Sequence, residues 1–197
     1  MEFVMPCPFD YLRQIINQYQ ELSETSWHAF KACCQLKTVA KGEVLYPVGE
    51  IPTCFCFVVT GLFRGYVLDE QGNEYNKTFF REGRFPGVMS PLLTQQPINL
   101  AVQAIEASTV IEINFAQFRA LMYSNLEISH FQIHYLETHW LLEKERKEMQ
   151  HLQFEAKDRY LQFINEHAAI VPRLAQYHIA SYLGITPTQL SRIKKEL

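Results

Sequence analysis

The hydrophobic positions of the chain change their period twice, and each change predicts a different kind of structure. Residues 9–33 repeat at helical spacing, with Ser23 or Thr25 as candidate helix caps. The apolar side of this stretch carries Leu12, Ile15, Ile16 and Tyr19. We therefore expect a helical N-terminal segment that packs through this side.

Short β-type runs occupy the chain from about residue 36 to residue 115. Turn residues separate them, and the stretch EQGN at 70–73 predicts a hairpin turn. The predicted strands cover residues 36–40, 44–46, 53–61, 62–69, 74–80, 100–105 and 109–115. Strands at this spacing, without helices between them, are typical of a sandwich or a barrel.

Helical periodicity returns after residue 115, with a short helix at 115–122 and a long one from about 126 to beyond 150. Apolar side chains of the long helix recur every seven residues, which is typical of the seam between two helices. The predicted dimer interface comprises Ile128, Phe131, Tyr135, Leu142 and Met149. The other faces are expected to pack back on the β-rich part through Ile133, Leu136, Trp140 and Leu141. A single amphipathic helix lying on its own barrel is the alternative.

Residues 176–197 predict two short helices joined by a tight turn. Residues 176–183 form the first, and Gly184 stands where a helix ends in a left-handed residue. Thr186 is a good N-cap for the second helix, and Pro187 suits its first position. Small and apolar side chains fill the space between the helices, at Ile179, Ala180, Leu183, Ile185, Leu190 and Ile193. This pattern predicts a helix-turn-helix, whose second helix lies in the DNA major groove. A helical hairpin with a purely structural role is the alternative.

The second face of the last helix is polar and basic. Arg192 can donate two hydrogen bonds to guanine, while Thr188 and Ser191 can reach bases or phosphates. Helix N-termini offer backbone N–H groups to phosphate oxygens, and the lysines add non-specific attraction. The predicted DNA-binding residues are Gln176, Tyr177, Thr186, Pro187, Thr188, Gln189, Ser191, Arg192, Lys194 and Lys195.

The charge of the chain is unevenly distributed. Its 197 residues have a formal net charge of −3, which by itself argues against a nucleic-acid binder. Residues 168–197, however, sum to +3, and the remaining 167 residues to −6. A basic C-terminal segment on an otherwise acidic chain indicates that the two parts have different functions. With 48% hydrophobic residues, the chain can bury a sizeable core.

The sequence shows no secretory signal at its start, so a cytoplasmic location is expected. The uncharged run 85–105 contains too many prolines and amides for a membrane helix. Five cysteines without a CxxC predict reduced, buried thiols, with an iron–sulfur or redox-sensing role as the alternative.

Three histidines lie in the long helix, and two of them have a spacing that metal sites use. His130 and His134 stand four residues apart, and His139 follows. A solvated helix face is the favoured interpretation, because no cysteine or carboxylate partner is obvious nearby. We predict no metal and no cofactor. The sequence also has no nucleophile–base arrangement or phosphate loop, so catalysis is not expected.

Most of the chain resembles a known family of proteins. The resemblance rests on the long helix and on KGEVLYPVGE at 41–50, FVVTGLFRGYVLDEQGNEY at 57–75, DRYLQFINEH at 158–167 and IASYLGITPTQLSRIKKEL at 179–197. On these stretches the chain resembles the Crp-Fnr family of bacterial transcription regulators. The resemblance implies an α+β fold with an N-terminal double-stranded β-helix (jelly-roll) sensor domain of the cyclic-nucleotide-binding type at 1–125. It further implies a dimerisation helix at 126–153 and an all-α helix-turn-helix domain at 154–197.

The same resemblance implies partners and a subtype. Double-stranded DNA and a second copy of the chain are the expected partners, RNA polymerase is a further candidate, and no membrane is involved. Family members often carry a β-hairpin wing after the recognition helix. This sequence ends at Leu197 without one, so a short wingless type is expected.

The nucleotide-binding cassette of that family is not matched. Its members hold the cyclic phosphate with a motif similar to F-G-E-x-A-L followed by R-x-A-x-V-x-A. Here Phe85 fits, but Pro86, Gly87 and Val88 replace the glycine and glutamate, and no charge occurs from 85 to 105. Because a buried phosphate needs a cation or several aimed N–H donors, usual cyclic AMP binding is not expected. The candidate pocket residues are Phe85, Gly87, Val88, Ser90, Leu92, Ile98 and Asn99. They predict a pocket for an uncharged or hydrophobic ligand, or none.

Three functions compete at this point. The leading one is a dimeric transcription regulator that binds a palindromic operator and does not respond to cyclic AMP. The others are a small-molecule sensor, and a cyclic-nucleotide-like signalling module, whose helical end contacts a protein partner. The basic face of the last helix favours the first.

Overall fold

The computed structural model describes residues 7–145 and 155–197. Two helices open it: α1 spans Pro8–Ile16 and α2 spans Glu24–Lys31. The Ser23 hydroxyl accepts the backbone N–H of Ser26, so the predicted cap at Ser23 is confirmed. Leu12 and Ile16 of α1 are fully buried, as the apolar side of the stretch predicted.

Seven strands follow, in the places that the alternating pattern predicted. They are β1 Cys34–Val39, β2 Val44–Tyr46, β3 Cys54–Thr60, β4 Phe63–Leu68, β5 Glu74–Phe80, β6 Ala101–Ala104 and β7 Ser108–Asn114. They form two antiparallel sheets, in the orders β1-β7-β3 and β2-β6-β4-β5. We call this two-sheet unit the β-roll, and β5 lies at the edge of its second sheet.

Aromatic side chains fill the β-roll. Phe57 and Phe85 lie with ring centroids 5.0 Å apart, and Phe55 and Phe118 are 5.1 Å apart. Among the five cysteines, Cys56 is fully buried, and burial raises the pKa of its thiol to about 12. Cys7 is exposed and the other three are half-buried, so the prediction of buried thiols holds fully at Cys56 alone.

One short helix lies in the uncharged stretch where no helix was predicted. This helix, α3, spans Met89–Thr94 and ends at Gln95 with a φ of 54°. It carries Leu92 into the core, between the buried side chains of Val88 and Ile98. The sequence did not reveal α3 because the helix has only six residues, one of them Pro91, which is too short for a hydrophobic period.

The short helix predicted at 115–122 is present, and the long helix after it changes its geometry along its length. Helix α4 spans Phe115–Ser124 and α5 spans Leu126–Leu136, and a π-helical segment continues α5 over Glu137–Leu142. Asn125 caps α5 by accepting the backbone N–H groups of Glu127 and Ile128. The predicted helix beyond 145 includes residues outside the described part of the chain.

The face of the long helix that packs on the β-roll is not the predicted one. Ile128, Phe131 and Tyr135 are buried in the chain's own core, at 0%, 2% and 6% exposure. Because side chains already buried cannot also line a contact with a second copy, the prediction of these three as dimer interface is wrong. Leu142 of that set is exposed, and Met149 lies outside the described residues. The exposed apolar side chains of the helix are instead Leu126, Ile133, Trp140, Leu141 and Leu142.

The C-terminal part consists of three helices around a second apolar cluster. Helix α6 spans Ala156–Glu166, α7 spans Gln176–Leu183 and α8 spans Pro187–Lys195, with a 3₁₀ turn at Val171–Arg173. The cluster includes Leu62 and Phe79 of the β-roll beside Phe163 and Ile179. In the described ranges, no helix is both long and apolar enough to cross a bilayer.

Candidate nucleic-acid interface

The turn between α7 and α8 has the geometry that its residues predicted. Gly184 adopts a left-handed conformation with a φ of 68°, which L side chains rarely adopt. The backbone N–H of Ile185 donates to the Ala180 carbonyl at 3.0 Å, which closes the end of α7. Helix α8 then starts at Pro187, three residues after the glycine.

A capping box starts α8. The Thr186 side chain accepts the backbone N–H of Gln189 at 3.2 Å, and the Gln189 side-chain oxygen accepts the Thr186 N–H at 2.9 Å. Two unsatisfied donors of the first turn are thereby satisfied. Both side chains were predicted to contact DNA. They are exposed, but their first role is to fix the start of the helix.

One side of α8 packs and the opposite side faces solvent. Leu190 is fully buried against α7, where Ala180 is small and buried. Thr188, Ser191, Arg192 and Lys195 form the exposed side, which we call the outer face of α8. The other predicted DNA-binding residues are exposed as well: Gln176, Tyr177, Thr186, Pro187, Gln189 and Lys194. Contact with DNA itself stays a prediction.

The cations of α8 are available for an external partner. Within the described ranges, no hydrogen bond or ion pair engages the side chain of Arg192, Lys194 or Lys195. A guanidinium that is exposed and uncommitted can present its paired N–H donors to an acceptor in a fixed plane. The outer face of α8 therefore combines positive charge, hydroxyl groups and open access.

A small cavity lies between the β-roll and the long helix. Its volume is about 20 Å³, which is room for about one water molecule. The lining is apolar except for Gln132, and the remaining lining residues are Phe55, Phe85, Pro86, Gly87, Met89, Phe131, Tyr135, Leu136 and Trp140. In the part of the chain that the structure describes, no charged side chain contributes to this lining.

The predicted pocket residues are not brought together at this cavity. Phe85 and Gly87 line it. Val88, Leu92 and Ile98 belong to the solid core, and Ser90 and Asn99 face solvent. The nearby cation Arg84 is already committed, because it donates to both carboxylate oxygens of Glu143 at 3.1 and 3.0 Å.

A hydrogen-bonded group that the sequence analysis did not find holds the π-helical segment in place. The Tyr19 hydroxyl lies 2.6 Å from Nε2 of His139, and Nδ1 of His139 lies 2.7 Å from Glu143. Burial opposes ionisation of Glu143, but hydrogen bonds from His139 and Arg84 prevail and lower its pKa to about 2. His139 thus has a packing role, whereas His130 and His134 are exposed, as a solvated face predicts.

A second group that the sequence analysis missed joins α7 to the β-roll. His178 is 6% exposed, and its carbonyl oxygen and Nδ1 each lie 3.1 Å from the Asn76 amide nitrogen. Burial, and then the Arg64 guanidinium, lower the pKa of His178 to about 4. The ring is therefore neutral near pH 7, and its Nδ1 accepts the amide N–H. No signal in the sequence links residues 76 and 178.

Comparison with known proteins agrees with this architecture. Residues 36–125 match the family model described as "Cyclic nucleotide-binding domain". Among curated protein sequences, no match is found.

Solved structures of transcription regulators have the same fold. FixK2 from Bradyrhizobium japonicum superposes with a TM-score of 0.70 at 22% identity, over 83% of this chain and 84% of that one. CLP from Xanthomonas campestris, described as a c-di-GMP responsive global regulator, also superposes with a TM-score of 0.70, at 15% identity over 88% and 91%. The catabolite activator protein of Thermus thermophilus has a TM-score of 0.56 at 18% identity, over 97% and 86%. The mixed fold, with a β-roll of the cyclic-nucleotide-binding type and several helices, is thus confirmed.

Proposed function

We propose that this chain is a transcription regulator that binds double-stranded DNA as a dimer, with α7 and α8 as a helix-turn-helix. The observation that carries the proposal is the outer face of α8, where the side chains of Arg192 and Lys195 are exposed beside two hydroxyl side chains and have no partner among the described residues. A helix that lies in the major groove needs such a face, with donors for base edges and cations for phosphates. The regulators with the same fold support the same reading.

A dimer would use the exposed apolar side of the long helix. Ile133 and Leu141 are 49% and 54% exposed and lie opposite the buried side chains Ile128 and Tyr135. Contact with the same side of a second copy would remove this surface from water. Each recognition helix would then read one half-site of a palindrome, with centres about 34 Å apart.

Two substitutions test this interface. We expect Ile133→Asp combined with Leu141→Asp to give monomers by light scattering, because each places a charge in an apolar contact. Leu36→Asp is the matched control, since Leu36 is 45% exposed on β1 and should leave the dimer intact. A dimer that persists in the double variant would place the contact elsewhere.

The β-roll would serve as a scaffold that does not respond to cyclic AMP. Its cavity has room for about one water molecule, none of its described lining residues is charged, and Arg84 is paired with Glu143. An anionic phosphate buried there would lack the cation that repays its desolvation. Any action in the cell would then depend on the amount of the protein or on a different signal.

Selection of bound fragments from random DNA tests the function directly. A palindromic consensus with two half-sites would support both the DNA-binding function and the two-fold symmetry of the dimer. Failure of the purified dimer to enrich any sequence would contradict it. RNA polymerase, a further candidate partner, can be tested afterwards by adding it to the selected operator.

A further inference from the structure

Helix α7 covers the open edge of the β-roll. The Ser181 hydroxyl accepts the Asn76 backbone N–H at 2.9 Å and donates to the Glu74 carbonyl at 3.1 Å. These groups belong to edge strand β5, and a strand edge otherwise leaves its backbone donors and acceptors to water. One side chain of α7 therefore takes the place of a neighbouring strand.

A line of buried polar contacts continues from this edge into the sheet. The Asn76 amide nitrogen donates to the His178 backbone, while its oxygen accepts Nη1 of Arg64 at 3.2 Å. Arg64 is 7% exposed, and it also donates to the Gln103 side chain on β6 and pairs with Glu74 at 2.5 Å. Three strands and α7 thus share one set of hydrogen bonds.

Arg173 makes a second, separate attachment. It precedes α7 and donates to Glu82 at 2.8 and 3.1 Å, and also to Glu106. Glu82 in turn accepts the backbone N–H of Gly61 at 2.9 Å. The two carboxylates come from different loops of the β-roll, so Arg173 holds the start of α7 from two directions.

Apolar packing fills the space between the two attachments. The Phe79 ring lies 6.1 Å from Phe163 and 5.5 Å from Tyr182, measured between centroids. Leu62 of the β-roll is fully buried in the same cluster. A contact with buried apolar side chains and satisfied hydrogen bonds resists sliding, because any shift would leave polar groups unpaired.

We propose that this contact, through Asn76, His178, Ser181 and Arg173, sets the spacing between half-sites that the dimer accepts. The inference rests on the proposed function. In a two-fold dimer the distance between recognition helices depends on how each is held on its own protomer. Docking on the β-roll adds a tether that is independent of the chain segment 146–154, which connects the long helix to α6 and so to the whole C-terminal part. These four are positioning residues, since none belongs to the outer face of α8.

If each recognition helix is held rigidly, the dimer binds well only to operators with one spacing between half-sites. One added base pair moves a half-site by about 3.4 Å and rotates it by about 35° around the duplex. A dimer whose α7 cannot shift on the β-roll must give up contacts or deform the DNA to follow this change. A dimer with a loosened contact can follow it at little cost.

The test measures affinity for operators whose half-sites are kept and whose spacer is changed by one or two base pairs. For the unaltered protein we expect about a tenfold or greater loss per changed base pair. For Arg173→Gln and for Ser181→Ala we expect this loss to shrink to about twofold, with weaker binding to the best operator. Ser181→Thr keeps the hydroxyl and should restore the narrow preference.

Arg13→Gln is the matched control. It also removes an arginine–glutamate pair, Arg13 with Glu24 at 2.7 Å, but this pair joins α1 to α2 and includes none of the four positioning residues. It should leave the spacing preference unchanged. Circular dichroism checks that each variant is folded. Should Ser181→Ala unfold, Arg173→Gln carries the test, because its side chain is partly exposed.

The outcomes separate this inference from the proposed function. If the variants lose affinity equally on all spacers, the contact only stabilises the protein and the inference is overturned while DNA binding stands. If the unaltered protein tolerates every spacer equally, the inference is overturned as well. If it binds no selected DNA at all, the proposed function fails and the inference falls with it.

Discussion

The cavity of the β-roll and the outer face of α8 are both candidate binding regions, but they differ in charge and in access. The cavity is small and largely aromatic, and among the described residues no charged side chain lines it. The outer face is open and carries Arg192 and Lys195 with no partner in the described part of the chain. A polyanion can bind the outer face of α8 without burying its charge. In the cavity, an anion would lose its hydration and gain no cation as a partner. The difference favours packing as the role of the cavity residues and, under the proposed function, DNA recognition as the role of the outer face of α8.

Truncation of a cavity residue should have the largest effect, and that effect should be on stability. Phe131→Ala removes a ring that is 2% exposed, and we expect unfolding to become easier by about 3–5 kcal/mol. Denaturant unfolding measures this. Leu36→Ala, at an exposed position, should change the free energy of unfolding by about 0.5 kcal/mol or less. Equal small effects would mean that the cavity side chains are not core.

A change on the outer face should instead act on DNA binding. We expect Arg192→Ala to weaken binding to the selected operator by about 1–3 kcal/mol and to relax one base position, with unchanged stability. Lys194→Ala is the control and should weaken all sequences alike, with a salt slope lower by about 0.9. A uniform loss for Arg192→Ala would reduce its role to a phosphate contact.

The pH dependence of stability should show that α7 and the β-roll belong to one folded unit. The pKa of His178 is about 4 in the folded protein against an ordinary value of 6.5, so the unfolded chain binds more protons between these values. Stability should therefore fall as pH falls from 6.5 towards 4, by at most about 1.4 kcal/mol per pH unit.

A narrower pH window separates the contribution of His178 to stability from that of Glu143. Glu143, with a pKa of about 2, contributes only below the ordinary glutamate value of 4.5. Between pH 6.5 and 4.5, His178→Gln should therefore remove a part of the slope that His28→Gln, at an exposed position of α2, retains. Identical slopes in both variants would mean that α7 is not docked in solution as described.

The smallest expected effect is that of cyclic AMP. At millimolar concentration it should leave the melting temperature unchanged, as should 5′-AMP. The measurement is sensitive, because a ligand at 100 times its dissociation constant would add about 2.7 kcal/mol of stability. A clear rise with cyclic AMP alone would mean that the β-roll binds an anion despite its uncharged lining.

The sequence predicted some regions well and others poorly, for different reasons. Gly184, Thr186 and Pro187 act on their immediate neighbours, so the turn before α8 could be read directly. A seven-residue recurrence says only that a helix has an apolar side. It does not say whether a second helix or the chain's own barrel covers that side, which is why Ile128 and Tyr135 were assigned to the wrong contact.

The sequence by itself determined the seven strands, the terminal helices, the chemistry of the outer face of α8 and the absence of charge from 85 to 105, because these depend on residues close together in the chain. Only the tertiary structure decided which side of the long helix is free, and that α7 docks on β5 through His178 and Asn76. Burial of a side chain is settled by contacts between distant positions, here 102 residues apart, and no local pattern encodes them.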